Sequence, residues 1–124
     1  MNKYIGHPSQ LCGVREMRLN GGKADGMRVL EVYNASKLRF TVSLDRGGDI
    51  PYLFFSSKSM AYISPCGMVS PQFYDKEGTG FLKSFTAGFL TTCGLTAAGN
   101  PCSDNGEQLP LHGTISHTPC EKYS

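Results

Sequence analysis

Leu38-Arg39-Phe40-Thr41-Val42-Ser43-Leu44 alternates apolar and polar side chains without a break. Leu38, Phe40, Val42 and Leu44 fall on one side of an extended chain, and Arg39, Thr41 and Ser43 on the other. That period of two marks a half-buried strand. Just before it, Arg28-Val29-Leu30-Glu31-Val32-Tyr33 is rich in β-formers, and Asn34-Ala35-Ser36-Lys37 is a four-residue connection. Together they predict an antiparallel hairpin of residues 28–34 and 38–44, with Leu38, Phe40, Val42 and Leu44 facing the core.

Outward from this hairpin, Asn20-Gly21-Gly22 is a turn that sets off an earlier strand around residues 12–19. On the other side, Asp45-Arg46-Gly47-Gly48-Asp49-Ile50 places two glycines between charges, as a tight turn or bulge with positive φ requires. Residues 52–55 form a short apolar run, 56–59 a turn, and 60–63 another strand. Phe81, Leu82 and Phe85 share a helical face, which predicts one short helix near 75–85, limited by Gly78 and Gly80. Residues 88–93 read as a strand. Residues 94–110 read as a long loop of the kind that is often functional. The class is all-β, mostly antiparallel, and residues 1–124 form a single partial domain with no internal boundary.

The composition narrows the function. A net charge of +2 is too small for a nucleic-acid footprint, which needs a clustered basic face, so no nucleic-acid partner is expected. No stretch approaches the roughly 20 apolar residues of a membrane span, and the first residues lack the apolar core of a secretory signal. Five cysteines, an odd number, fit reduced thiols in a cytoplasmic protein. Cys93, Cys102, His112, His117 and Cys120 contain no C-x₂-C pair and match no common zinc spacing, so no metal and no cofactor are expected. Cys93 reads as a small buried hydrophobe. Phe73, Tyr74, Phe81, Phe85 and Phe89 read as core, with one ring available to stack on a sugar face. Gly47-Gly48 lacks the strand–GxGxxG–helix setting of a dinucleotide site.

His112, between Leu111 and Gly113 and delivered by the Pro110 loop, is the side chain best matched to proton transfer near neutral pH. An ordinary histidine holding a backbone carbonyl is the alternative. Arg46 offers a guanidinium to hydroxyls or to a negative substituent. The alternative there is a salt bridge with Asp45 or Asp49 that fixes the turn.

The stretches Asp45-Arg46-Gly47-Gly48-Asp49-Ile50, Tyr74-Asp75-Lys76-Glu77-Gly78 with Gly80-Phe81-Leu82, Gly88 to Leu95, and Gly106-Glu107 with Leu111-His112-Gly113 occur here in one order. In this the chain resembles the aldose 1-epimerase (galactose mutarotase-like) superfamily, and within it a poorly characterised bacterial branch. The resemblance covers roughly residues 28–121. It implies the N-terminal part of a large twisted β-supersandwich that interconverts sugar anomers by ring opening. A histidine protonates the ring oxygen while a carboxylate takes the proton of the anomeric hydroxyl. On this resemblance His112 is the candidate catalytic and sugar-binding residue and Arg46 a candidate substrate-binding residue. The ligand is a small sugar, phosphorylated or acidic sugars included.

The superfamily's general-base glutamate falls beyond Ser124, so catalysis by these residues alone is not expected. A truncated sandwich would also leave strand edges unpaired, which predicts self-association into a homo-oligomer. A non-catalytic carbohydrate-binding or remnant β-domain stabilised by self-association is the competing reading.

Overall fold

The computed structural model describes residues 3–123. Its main sheet is a five-stranded antiparallel meander in chain order: β1 (Cys12–Arg18), β2 (Arg28–Asn34), β3 (Leu38–Ser43), β4 (Leu53–Phe55) and β5 (Lys58–Ser59). The register sets Val14, Val32, Phe40 and Leu53 in one cross-strand row, and Glu16, Leu30 and Val42 in the next. Rows of β-branched and aromatic side chains of this kind are what stabilise a sheet. The β2–β3 connection is closed by Asn34, whose Oδ1 accepts from the amides of Ser36 (3.0 Å) and Leu38 (3.2 Å).

Two small sheets follow. β6 (Tyr62–Ile63) pairs with β7 (Ala87–Gly88), and β8 (Cys102–Asp104) pairs with β9 (Glu107–Leu109). Short 3-10 helices span Gly80–Ser84 and Ile115–His117. The expected helix near 75–85 is therefore a five-residue 3-10 helix confined to its second half. Asp75 instead accepts from the Glu77 amide and pairs with Lys83, which holds residues 75–79 as a turn.

Four further expectations are corrected. Strand 88–93 reduces to β7 plus a single bridge of Leu90 with Ile50, because the chain leaves the sheet there. The 94–110 loop is not structureless: it contains the β8–β9 hairpin, turned at Asn105 (φ 48°) and Gly106 (φ 84°). Cys93 is exposed rather than buried. Phe73 and Phe89 stand about half exposed, whereas Phe81 is core.

The hairpin face also differs in detail. Leu44 is buried, but Leu38, Phe40 and Val42 are only half-buried, while Ser43 on the opposite face is fully enclosed. Ser43 shares its enclosure with Arg46, Asp49, Pro51, Met68 and Thr86. Total accessible surface is 7944 Å², against about 6,500 Å² for a compact monomer of 13.5 kDa. Large apolar side chains that stay exposed along the chain contribute to the excess, among them Val14, Phe55, Tyr62, Phe89 and Leu95. No helix in the described residues is long and apolar enough to cross a membrane.

Candidate functional site

The turn after β3 is built on two charge contacts. Asp45 accepts three hydrogen bonds from Arg28: the amide at 2.7 Å, Nε at 2.9 Å and Nη2 at 2.7 Å. Arg46 turns the other way, into the protein. Its residue is 1% exposed, Nη1 donates to the carbonyls of Val69 (3.1 Å) and Ser84 (3.0 Å), and Nε lies 3.6 Å from Asp49 Oδ2. Asp49 Oδ1 in turn accepts from the Thr92 amide (2.6 Å) and hydroxyl (2.7 Å). Burial pulls the Arg46 guanidinium below its usual value and pushes the Asp49 carboxyl up, and their mutual attraction opposes both shifts.

Arg46 therefore ties the turn to two distant loops. Its side chain is 2% accessible and its contacts are with the protein, which is the arrangement of the alternative reading, a charge pair that fixes the turn. Gly47 is needed next to it, because a Cβ there would stand 2.5 Å from the Ile115 carbonyl oxygen. The Gly47 amide donates to Thr118 (3.1 Å), fastening the turn to the last segment of the chain.

That last segment carries two histidines of opposite character. The backbone of Leu111-His112-Gly113 is locked onto residues 94–99. The His112 amide donates to Gly99 (2.8 Å), the His112 carbonyl accepts from Gly94 (2.8 Å), and the Thr114 amide returns to the Gly94 carbonyl (3.0 Å). His112 is left-handed at φ 58°, a conformation that non-glycine residues adopt at a cost. Its half-buried ring meets the edge of Phe81 at 5.3 Å, and neither ring nitrogen has a hydrogen-bond partner among the described residues.

His117 is its opposite. It is buried, stacked on Tyr74 at 3.7 Å, and met edge-on by Phe81 at 5.2 Å. Ser116 Oγ lies 3.1 Å from Nδ1 and Ser84 Oγ 3.4 Å from Nε2. Burial, and to a lesser degree the charge of Arg46, push its pKa down to about 4. At pH 7 the His117 ring is therefore held neutral. The sequence offered His117 only as a metal ligand and Tyr74 and Phe81 only as core, and it did not show that the three pack together. An isolated Ser-His pair carries no local mark of burial, and the two rings look like any other core aromatics.

The buried neutral state of His117 has a measurable consequence. Unfolded, it takes up a proton near pH 6.5, whereas folded it does so only near 4. The unfolded chain binds more protons between those values, so the contribution to stability is complete above about pH 6.5 and is lost as pH falls through 4. Urea unfolding from pH 7.5 to 4 is expected to show a loss of about 3 kcal/mol that the His117→Gln variant does not share. Parallel pH profiles of the two proteins would contradict the assignment.

A cavity of about 280 Å³ is bounded by Lys76, Glu77, Gly78, Pro101, Gln108, Leu109 and Pro110, and His112 is not among its lining residues. Asp104 and Glu107 are exposed on β8 and β9, and no carboxylate bonds to the His112 ring among the described residues. Among those residues, no cluster of three or more His, Cys, Asp or Glu side chains is placed to hold a metal. The five thiols are free.

Residues 24–124 match the family model described as a domain of unknown function, DUF4432. The chain belongs to this family. No curated protein matches it significantly. Among solved structures, the DUF4432 chain is similar to a "putative aldose 1-epimerase" from Klebsiella pneumoniae subsp. pneumoniae MGH 78578. The two share 29% sequence identity at a TM-score of 0.77, over 86% of this chain and 28% of the Klebsiella protein. The DUF4432 chain thus has an aldose 1-epimerase-like, mostly antiparallel β fold and spans just over a quarter of the length of that relative.

Proposed function

We infer that this chain carries part of the carbohydrate site of an aldose 1-epimerase-like protein, with His112 as the group that contacts the sugar. The observation behind this reading is the construction of Leu111-His112-Gly113. The His112 amide and carbonyl are both consumed by residues 94–99, its backbone is held in a strained left-handed state, and its ring nitrogens are left without partners among the described residues. An ordinary core histidine spends its nitrogens as His117 does. Together with the similarity to the Klebsiella protein, this supports a ring that donates to a sugar oxygen.

Opening a sugar ring needs a proton delivered to the ring oxygen while another leaves the anomeric hydroxyl, and either assistance alone is insufficient. His112 supplies the first. The second requires a carboxylate that these residues do not place at its ring, so we assign binding, not turnover, to the chain by itself. Arg46 acts as a positioning residue beneath the turn. Self-association belongs to the same reading, because the outer edge of β1 has no partner strand among the described residues.

Binding and anomer exchange can be followed in one NMR sample with millimolar galactose or glucose. The expected result is saturable binding that His112→Ala removes, with exchange no faster than in buffer. Absence of binding would overturn the reading. Acceleration that His112→Ala abolishes would show that the base lies within these residues or in a second copy.

A further inference from the structure

We propose that the chain has a second binding site, at the tips of the β2–β3 and β4–β5 hairpins, for a tetrahedral oxyanion such as phosphate, free or as the ester of a small organic molecule. A cavity of about 680 Å³ opens there and shares no residue with the histidine cluster. Its walls carry Lys37, Arg39, Asn34, Ser56 and Ser57, all hydrogen-bond donors, and no carboxylate.

Three features make these donors more than surface decoration. First, the nearby charge is unbalanced. Glu31 is divided between Arg15 (3.2 Å) and Arg39 (3.7 Å), which leaves Lys37 unopposed and Arg39 half-neutralised. Second, the donors are held. The Arg39 guanidinium lies over the Phe54 ring at 5.1 Å, and Asn34 Oδ1 is occupied by two backbone amides, so the Asn34 NH₂ group remains to donate.

Third, the backbone is strained at the donors themselves. Lys37 (φ 70°), Ser56 (φ 51°) and Ser57 (φ 68°) are all left-handed. These are turn positions where glycine or asparagine is the low-strain choice. Here each instead carries a cation or a hydroxyl that lines the cavity. Strain kept where glycine would relieve it points to a use for the side chain. A guanidinium, an ammonium and two hydroxyls around one cavity match the acceptor oxygens and double charge of a phosphate.

The test is a titration of the isotopically labelled chain with inorganic phosphate, glucose 6-phosphate and glucose, at ionic strength fixed with sodium chloride. Saturable amide shifts at residues 34–39 and 54–59 are expected with both phosphates, and with inorganic phosphate they are confined to those residues. Tighter binding of glucose 6-phosphate would identify an organic ester as the ligand, and equal binding the free oxyanion. Lys37→Ala with Arg39→Ala should weaken phosphate at least tenfold, and His112→Ala should leave it unchanged, separating this site from the sugar site. Ser57→Gly, which relieves strain and so keeps the fold, should raise the melting temperature while weakening phosphate severalfold. Shifts reproduced by chloride or by glucose alone overturn the proposal. So does an affinity that stays within twofold of the parent in the Lys37/Arg39 and Ser57 variants.

Discussion

Replacing Arg46 with alanine is expected to cost about 3–5 kcal/mol of unfolding free energy, because it breaks a buried pair by removing one partner. The guanidinium leaves behind Asp49, 4% exposed, and the carbonyls of Val69 and Ser84, which lose their donor. A charge stranded in that way is more expensive than no charge at all. Arg46→Met combined with Asp49→Asn, which empties the site of charge, should therefore recover much of the loss that either single change produces. Denaturant unfolding of the parent, Arg46→Met, Asp49→Asn and the double variant forms the double-mutant cycle that measures this coupling. A loss below about 1 kcal/mol for Arg46→Ala would mean the side chain is not a structural tie. The role of sugar contact would then have to be reopened.

Gly113→Ala is expected to cost about 3 kcal/mol or more. At φ 74° an L side chain pays about 1–2 kcal/mol for the left-handed state, and the new Cβ would collide with the carbonyl oxygens of Gly94 and Ala97. Backbone atoms cannot swing aside as a flexible side chain can, so overpacking adds about 1–3 kcal/mol. The contact broken is the one that locks His112 onto residues 94–99, so sugar binding should fall with stability. Gly99→Ala is the control. Its φ of 88° carries the same conformational penalty, but nothing lies within 4 Å of its Cβ. Equal losses for the two variants would show that the close approach at Gly113 has no weight.

The sequence made the local features legible and left the long-range ones hidden. The β2–β3 hairpin is readable because the period of two in Leu38–Leu44 and the connection at Asn34 each point to it independently, and consistency of that kind is what specifies an element. The hairpin at Asn105-Gly106 carries the strongest short turn signal there is. It escaped notice because Cys102-Ser103-Asp104 and Glu107-Gln108-Leu109 lack alternating hydrophobics.

The pairing of Arg46 with Asp49 was one of the readings the sequence offered, but its other partners were not legible. Its partners Val69 and Ser84 lie 23 and 38 residues away, and both contribute carbonyls, which every residue has. The same holds for the histidines. His112 stood out because it sits between Leu111 and Gly113 at the end of a Pro-containing loop. Only tertiary packing against Tyr74, Phe81 and Ser84 makes His117 the buried neutral one.

The division of labour between these histidines is the centre of the account, and their ring signals in an NMR titration with galactose, glucose or their 6-phosphates read it directly. The account predicts that the His112 ring resonances move and saturate at millimolar sugar, where a Kd of ~1 mM corresponds to about 4 kcal/mol, while those of His117 stay fixed. A stationary His112, or a His117 that moves as far, would contradict it.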